Sequence, residues 1–282
     1  MKIVTSTCVF PKEYPAEAAI RRLAALGFEG VDIAFDYYAD SPDCPFRGDG
    51  WEAWAQDLRR LAEECGVTCQ HAHAPGDFAN HSETMRRCFA ACQILGVRYM
   101  VIHPINLNDD KKALEDEEEF MAKNLAALPP LLRWAEECGV VILAENLPWS
   151  ACKHPRVCAR LVEAVNHPNF GWCYDTGHAN IIGLDPMLLA TLTPPLSLHL
   201  QDNHRGVWND EHLRPGDGDV DFGRLWEALG TAGYRGDYVL EAHHQSLEAP
   251  DEERDGILSE LVRRSRTVRD AIAASEKVTK WV

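Results

Sequence analysis

The stretch WEAWAQDLRRLAEECGVTCQHAHA, residues 51–74, contains one complete unit of the fold. Its first part, 51–65, spaces apolar residues as one face of an amphipathic helix does. Gly66 follows, and glycine often ends a helix because it tolerates a left-handed backbone. The apolar run 67–74 then predicts a strand that ends in His71 and His73. We therefore predict a helix, a turn and a strand with two imidazoles near its carboxyl end.

The same alternation continues along the whole chain. Short apolar runs predict eight strands, at 2–9, 30–35, 67–74, 99–104, 140–146, 170–175, 196–201 and 237–243. Amphipathic stretches predict helices near 15–26, 51–65, 80–95, 115–138, 155–165, 185–192, 222–230 and 254–273. Glycine also separates a helix from the next strand at Gly27, Gly96, Gly139 and Gly233. Eight strand–helix units predict an α/β protein with a single (β/α)8 TIM barrel, which we expect to form one domain over 1–282.

An open, doubly wound sheet is the other arrangement that alternating strands and helices can take. Such sheets usually contain fewer units, and many carry a glycine-rich phosphate-binding turn after the first strand. In this chain the sequence FPKEYP (10–15) follows the first strand and contains no such turn. The barrel is therefore the favoured fold.

The composition favours some partners over others. The chain has 28 Lys and Arg residues against 44 Asp and Glu residues, which gives a net charge of −16. This charge repels nucleic-acid phosphates and anionic membranes, so we expect neither as a partner. No run is as long as a membrane span, and the first ten residues lack the apolar core of a signal peptide. The ten cysteines show no C-x-x-C spacing, which favours reduced thiols in a cytoplasmic protein.

Chemistry in a barrel lies at the carboxyl ends of the strands, where the loops of all eight units meet. Six consecutive predicted strands carry an acid or an imidazole there, and the long segment 202–221 adds two more. These residues are His71, His73, His103, Glu145, Asp175, His178, His199, Asp210, His212 and Glu241. One polar strand end is usually just a solvated terminus. Six in succession instead predict a metal or acid–base site.

The residue types suggest which chemistry this site performs. Carboxylates and imidazoles without thiolates are suitable ligands for Mn²⁺, Mg²⁺, Zn²⁺, Co²⁺ or Fe²⁺. Carboxylates that converge repel one another without a cation, so their convergence itself favours a divalent metal ion. Two carboxylates beside a bound substrate also serve as acid and base, while the ion lowers the cost of forming an enediolate.

Seven short motifs occur in order along the chain. They are HAP (73–75), IHP (102–104), AEN (144–146), YDTGH (174–178), HLQDN (199–203), DEHLRPGDGDVDF (210–222) and LEAH (240–243). In this order the chain resembles the xylose-isomerase-like TIM-barrel family of sugar and sugar phosphate isomerases and epimerases, which shares its fold with type IV apurinic endonucleases. The resemblance covers essentially the whole chain.

The resemblance implies roles for particular residues. In the ketose epimerases of this family, four strand ends hold one divalent metal, and those positions match Glu145, Asp175, His199 and Glu241. The two glutamates would also be the catalytic proton-transfer pair. His178 and Arg214 resemble residues that hold substrate oxygens. The endonucleases extend the same shell to three zinc ions, and their further ligands resemble His73, His103, His178, Asp210 and His212.

Several functions are compatible with these residues. The favoured one is a metal-dependent isomerase or epimerase that acts on a small sugar or polyol, and a dehydratase of the inosose or dehydroshikimate type is closely related. A multi-zinc apurinic endonuclease is the second hypothesis, and the charge of −16 opposes it. A non-catalytic metal-binding barrel is the third, and a homo-oligomer is compatible with all of them.

Other side chains are expected to contact the substrate. His71 lies two residues before His73 on the same strand face, so it is either a substrate contact or a core residue. Aromatic faces pack well against the C–H surfaces of sugars, which makes Phe35, Trp149 and Trp208 candidates. For Trp149, packing on the barrel rim is an equally good interpretation.

Overall fold

The eight predicted strands form one parallel sheet in the computed structural model, which describes residues 1–41, 44–206 and 210–279. They are β1 (Ile3–Ser6), β2 (Gly30–Ala34), β3 (Thr68–Asp77), β4 (Tyr99–His103), β5 (Val141–Glu145), β6 (Phe170–Asp175), β7 (Ser197–His199) and β8 (Tyr238–Leu240). Their order in the sheet is β7-β6-β5-β4-β3-β2-β1-β8. A bridge between Leu200 and Leu240 joins the two edge strands. This junction closes the sheet, so the predicted (β/α)8 TIM barrel is confirmed.

Helices lie between the strands along the chain. They are α1 (Ala16–Leu26), α2 (Phe35–Asp40), α3 (Trp51–Cys65), α4 (Glu83–Leu95), α5 (Glu117–Cys138), α6 (Pro155–Val165), α7 (Thr176–Ile181), α8 (Phe222–Ala232), α9 (His244–Glu248) and α10 (Asp251–Thr279). The predicted helix 51–65 coincides with α3. Gly66, which follows it, has a φ of 71°, in the left-handed region that ends a helix.

Two differences from the predicted helices concern short elements. The segment predicted as a helix at 185–192 forms a 3₁₀ helix, Pro186–Thr191. The helices α2, α7 and α9 were not predicted, because each has only five or six residues and is too short to show a helical period.

The register of neighbouring strands explains why polar side chains meet at one end of the barrel. Val101 pairs with Leu143, and Glu145 pairs with Cys173. Val101, Leu143 and Cys173 belong to one small buried apolar cluster. Because strand side chains alternate, Glu145 lies on the same face as Leu143, one step nearer the carboxyl end. The interior is thus apolar next to the layer that carries the candidate ligands.

Some expectations concern the chain as a whole. Among the described residues, all ten cysteines are free thiols. Within the same part of the chain, no helix is both long and apolar enough to cross a membrane. The expectation of one domain over 1–282 stays a prediction.

Candidate metal centre

Four side chains converge at the carboxyl ends of β5 to β8. Glu145, Asp175, His199 and Glu241 each place one potential ligand atom within 4.8 Å of the others. His199 is central to the group, since its Nδ1 lies 3.0 Å from Oε1 of Glu145 and 3.3 Å from Oε2 of Glu241. Glu145 is buried, whereas the side chain of Glu241 keeps 16% of its surface exposed. The four residues implied by the family resemblance therefore form one compact group.

Two further groups of potential ligands lie beside the first. In one, Oε2 of Glu145 is 3.2 Å from Nε2 of His103 and 3.7 Å from Nε2 of His73. In the other, Oδ2 of Asp210 is 3.1 Å from Nε2 of His178 and 3.0 Å from Nε2 of His212. Glu145 belongs both to the four-residue group and to the group with His73 and His103, so its carboxylate connects these two groups.

The start of α7 fixes the positions of Asp175 and His178. Asp175 caps this helix, and its Oδ1 accepts a hydrogen bond from the backbone N–H of His178 at 2.7 Å. The ring nitrogen Nδ1 of His178 lies 2.8 Å from the backbone carbonyl of Asn146, which directs Nε2 towards Asp210. The spacing of three residues in YDTGH is thus the spacing of a helix cap.

The loop after β7 positions Asp210 and His212. Asp202 anchors the loop, since its backbone exchanges two hydrogen bonds of 2.9 Å with that of Leu213. His212 has a φ of 46°, a left-handed conformation that is uncommon for residues other than glycine. Its Nδ1 lies 2.8 Å from the carbonyl oxygen of Glu241, so β8 holds the ring in place. An unusual backbone conformation held by its surroundings is typical of functional loops.

Burial and the facing imidazoles have opposite effects on the carboxylates. Burial alone raises the pKa of Glu145, but His199, His103 and His178 lower that pKa well below its ordinary value. Burial likewise opposes the ionisation of Glu241, yet His199 lowers its pKa to about 2. Asp175 differs, because burial raises its pKa to about 7 and repulsion from the two glutamates adds to this effect.

The histidines show the reverse pattern. Burial disfavours their charged form, but Asp210 and Glu241 raise the pKa of His212 to about 9. Burial acts in the same way on His73, whose pKa Glu145 and other nearby carboxylates raise to about 9. The nearby carboxylates therefore favour protonated imidazoles. A divalent cation would compete with those protons for the same ligand atoms.

The donor atoms fit such a cation. Glu145 Oε2 and Asp175 Oδ2 are buried and have no hydrogen-bond partner of good geometry among the described residues. Buried polar atoms are rarely left without a partner, and both residues belong to the three groups. The groups contain only carboxylates and imidazoles, which are ligands for Zn²⁺, Mn²⁺, Co²⁺ and, less readily, Mg²⁺.

A cavity of about 180 Å³ opens above these residues. Members of all three groups line it, among them Glu145, Glu241 and His178. Trp149 also lines it, and its ring centroid lies 5.9 Å from that of His178. The cavity therefore gives a small ligand direct access to the candidate ligands and to an aromatic face.

The comparisons with known proteins agree with this geometry. A sequence model of the family described as xylose isomerase-like TIM barrel matches residues 20–266. The chain belongs to the xylose isomerase-like TIM barrel family. Inosose dehydratase from Lacticaseibacillus casei is 26% identical over 265 residues, which cover 84% of this chain and 85% of that enzyme. A protein from Methanocaldococcus jannaschii is also 26% identical, over 169 residues, and this match covers 57% of this chain and only 54% of that protein.

Two solved structures show the same fold. The IOLI protein, crystallised with a zinc atom, superposes with a TM-score of 0.76 at 19% identity, covering 98% of this chain and 99% of that chain. A D-allulose 3-epimerase from Methylomonas sp. superposes with a TM-score of 0.72 at 18% identity, covering 95% and 98%. The predicted resemblance to the xylose isomerase-like family is therefore confirmed.

Within this family fold, two of the predicted substrate contacts lie elsewhere. His71 does not line the cavity: its Nε2 is 3.3 Å from Asp237 and its Nδ1 is 3.5 Å from Ser197, at the amino-terminal ends of β8 and β7. It is buried, so the interpretation as a core residue replaces that as a substrate contact. Arg214 does not line the cavity either, and its guanidinium is paired with Asp217 at 2.9 Å.

The aromatic candidates also divide. Trp149 lines the cavity, as expected for a substrate contact. Phe35 is fully buried and stacks on Phe46, so it is a core residue. Trp208 lies outside the described residues.

Seven described residues not named in the sequence analysis line the same cavity, and four of them have titratable side chains. The four are Cys8, Asp36, Tyr37 and His243. Each follows or ends a predicted strand, so the rule that was applied to the later strands also applies to them. Cys8, Asp36 and Tyr37 belong to the first two strand ends, whereas the predicted site residues begin at the third strand. His243 lies at the end of the eighth predicted strand, from which only Glu241 was predicted as a site residue.

Proposed function

We propose that this protein is a divalent-metal-dependent isomerase or epimerase that acts on a small sugar or polyol. The observation that carries the proposal is the compact group formed by Glu145, Asp175, His199 and Glu241, of which Glu145 and Glu241 line the cavity. Support also comes from the family, since one relative is named inosose dehydratase and one structural neighbour is a D-allulose 3-epimerase.

The two glutamates are the proposed proton-transfer pair. Both line the cavity, and both have lowered pKa values, so both are in the ionised form that a general base needs. The partly exposed Glu241 is the more accessible to a ligand, whereas the carboxylate of Glu145 faces four imidazoles. One glutamate takes the proton from the carbon next to the substrate carbonyl, and the other returns a proton to the resulting enediolate.

Glu145, Asp175, His199 and Glu241 would hold the cation. When bound, the cation supplies a positive charge that stabilises the negative oxygen of the enediolate. His178 and Trp149 lie side by side at the cavity wall. Nδ1 of His178 faces the carbonyl oxygen of Asn146 and its Nε2 faces Asp210, so a hydrogen bond to a substrate oxygen would require Nε2 to leave Asp210. Trp149 offers an apolar face to the sugar carbons.

Solvent proton exchange tests this proposal directly. Protein loaded with Mn²⁺, Co²⁺, Zn²⁺ or Mg²⁺ is incubated in D₂O with a panel of ketoses and inososes, and NMR follows deuterium at the carbon next to the carbonyl. We expect exchange with at least one compound and its loss in Glu241→Gln. The matched control, Glu248→Gln, changes a glutamate whose side chain is 71% exposed and should exchange like the wild type.

The products separate the related reactions. An epimer or an aldose indicates an isomerase or epimerase, whereas loss of water from an inosose indicates a dehydratase. Metal bound without exchange on any compound would contradict the proposal and favour a non-catalytic metal-binding barrel.

One observation favours a second function, that of a multi-zinc apurinic endonuclease. The three groups of potential ligands include all the further residues that the endonuclease resemblance implies, namely His73, His103, His178, Asp210 and His212. The net charge of −16 opposes binding of a DNA backbone. Incubation of the zinc-loaded protein with an abasic duplex decides between them, since cleavage without any proton exchange on sugars would replace the isomerase proposal.

A further inference from the structure

Part of the cavity wall has no role in the three ligand groups. Cys8 follows β1, Asp36 lies in the first turn of α2, and His243 follows β8. All three line the cavity, and none belongs to a ligand group. Because β8, β1 and β2 are neighbours in the sheet, these side chains occupy one continuous sector of the rim. We call these three residues the β1 sector.

The imidazole of His243 is held on two sides. Its Nδ1 lies 3.6 Å from the sulfur of Cys8, within the range of a sulfur hydrogen bond. Its ring stacks on that of His212, with centroids 4.1 Å apart and an angle of 30° between the planes. With Nδ1 engaged by the buried Cys8, the nitrogen that remains for a ligand in the cavity is Nε2. His243 thus presents one fixed polar group to the substrate space.

Asp36 offers one carboxylate oxygen without a partner. Its Oδ1 is buried and has no hydrogen-bond partner within the described ranges. An unpartnered buried oxygen costs free energy, which a ligand that donates a hydrogen bond recovers. A substrate hydroxyl is such a donor, and an anionic group is not.

The remaining charges of the cavity favour the same kind of ligand. In the part of the chain that the structure describes, no lysine or arginine lines the cavity. The nearby arginines are engaged elsewhere, Arg214 with Asp217 and Arg205 with the side chain of Asn180. Sites that bind phosphate or carboxylate groups usually use arginine or lysine for this purpose. On the side of the β1 sector, a phosphate would instead meet the carboxylate of Asp36.

We propose that the β1 sector is a substrate-recognition wall that binds the hydroxyl groups of an uncharged sugar or polyol and discriminates against its phosphate ester. Asp36 accepts a hydrogen bond from one hydroxyl, and Nε2 of His243 contacts another substrate oxygen. Cys8 is a positioning residue that holds His243. This inference rests on the proposed sugar or polyol function and specifies the substrate class of the same site.

The test compares a neutral ligand with its phosphate ester in binding and in turnover. Calorimetry on Mn²⁺-loaded protein measures the affinities for D-fructose and D-fructose 6-phosphate, and the exchange assay gives KM and kcat for the best neutral substrate found. We expect the wild type to bind the neutral sugar at least tenfold more tightly than the ester. We expect Asp36→Asn to raise the Kd and KM for the neutral sugar about tenfold and to change kcat less than threefold. The variant should also show a smaller difference in affinity between the neutral sugar and its phosphate ester.

Matched variants separate recognition from folding. Asp40→Asn makes the same change in the same helix at a side chain that is 74% exposed, and it should behave like the wild type. Cys8→Ser retains a hydrogen-bonding atom next to His243 and should stay within threefold of the wild-type KM. Cys8→Ala loses that atom and should raise KM several-fold at unchanged kcat. Melting temperatures show whether each variant folds.

The outcomes are distinct. Equal affinities of Asp36→Asn and Asp40→Asn for the neutral sugar would overturn the proposal, as would a wild type that binds the phosphate ester as tightly as the sugar. Selective binding of the sugar that Asp36→Asn weakens, with no proton exchange on any compound, would contradict the proposed reaction and support the recognition wall. Proton exchange with an unchanged KM in Asp36→Asn would support the reaction and contradict the recognition wall.

Discussion

The carboxamide of Asn146 holds the backbone of Asp175 from both sides. Its Oδ1 accepts the N–H of Asp175 at 2.8 Å, and its Nδ2 donates to the carbonyl oxygen of the same residue at 3.0 Å. Asn146 is fully buried, and its own carbonyl oxygen lies 2.8 Å from the ring of His178. The residue that follows Glu145 thus aligns the next strand end with the candidate metal centre.

Replacing this side chain should weaken both the fold and metal binding. Asn146→Ala leaves two buried backbone groups of Asp175 without partners, which costs about 2–4 kcal/mol of unfolding free energy. We expect the affinity for a divalent metal to fall at least tenfold as well, because Asp175 is no longer fixed. Urea unfolding and metal titration measure the two effects.

Asn108→Ala is the control for that change. Asn108 likewise makes two hydrogen bonds to the backbone, accepting the N–H groups of Asp110 and Lys112, but it is partly exposed and does not line the cavity. Asn108→Ala should lower the free energy of unfolding by about 1 kcal/mol or less and should bind metal with wild-type affinity. Equal metal affinities for the two variants would show that Asn146 has no role in aligning the site.

Removing a residue that belongs to only one ligand group should lower the number of bound metal ions without emptying the other groups. His103 belongs only to the group with His73 and Glu145, and its side chain is 34% exposed. In protein that binds more than one ion, His103→Ala should lower the number of tightly bound ions by one and leave the four-residue group occupied. Elemental analysis of purified protein gives the ratio of metal to protein.

A histidine outside the three groups is the control for the stoichiometry. His244→Ala removes an imidazole whose side chain is 42% exposed, and it should keep the wild-type ratio. An unchanged ratio in His103→Ala, or loss of every ion, would contradict the assignment of separate positions.

His71 should matter for stability and not for the reaction. Its contacts with Asp237 and Ser197 lie at the opposite end of the barrel from the cavity. We expect His71→Asn to lower the unfolding free energy by about 1–3 kcal/mol, because buried hydrogen bonds are lost, and to leave KM within threefold. A folded variant with a strongly raised KM would restore the interpretation of His71 as a substrate contact.

The attachment of α10 to β1 should depend on pH. Glu29 accepts the backbone N–H of Ile3 at 2.9 Å and pairs with Arg269 at 2.9 Å. Burial opposes its ionisation, but these two partners lower the pKa of Glu29 below the ordinary 4.5. A carboxyl whose pKa is lower in the folded state stabilises the fold above its unfolded pKa, and the effect is lost as the pH falls through the folded pKa.

Glu29→Gln should therefore destabilise the protein at pH 7 and lose its effect in acid. The difference at pH 7 should be about 0.5–1 kcal/mol, since the pair is partly exposed. Urea unfolding between pH 7 and pH 3 should show this difference shrink below pH 4.5. The exposed Glu52→Gln provides the baseline, and a difference that grows in acid would contradict the assigned role.

The barrel could be predicted from the sequence because its signals are local. A strand is an apolar run, a helix is a periodic pattern, and Gly66 separates them in the sequence as it does in the structure. Consecutive parallel strands bring their carboxyl ends to one rim, so the strand ends alone predict ten candidate residues. The choice of Glu145, Asp175, His199 and Glu241 among them came from the family resemblance.

Other parts of the site depend on long-range contacts. Nothing near His71 in the sequence shows that Asp237, 166 residues away, lies beside its ring. The pairing of Arg214 with Asp217 also depends on how the 210–219 segment folds around Asp202, whose side chain accepts the N–H groups of Gly216 and Gly218. Strand order predicts which strand ends meet. It does not predict the position of each side chain along its strand or the residue with which that side chain pairs.

Glu145 contributes oxygens to two of the three ligand groups, and this sharing has a thermodynamic consequence. Ions that use the same carboxylate cannot be taken up independently, because the charge of the first changes the affinity for the second. Stepwise binding constants should therefore differ from those of isolated sites. The shared carboxylate of Glu145 then couples the binding of successive ions. Titrations that begin with different metals can therefore reach different mixed-metal states.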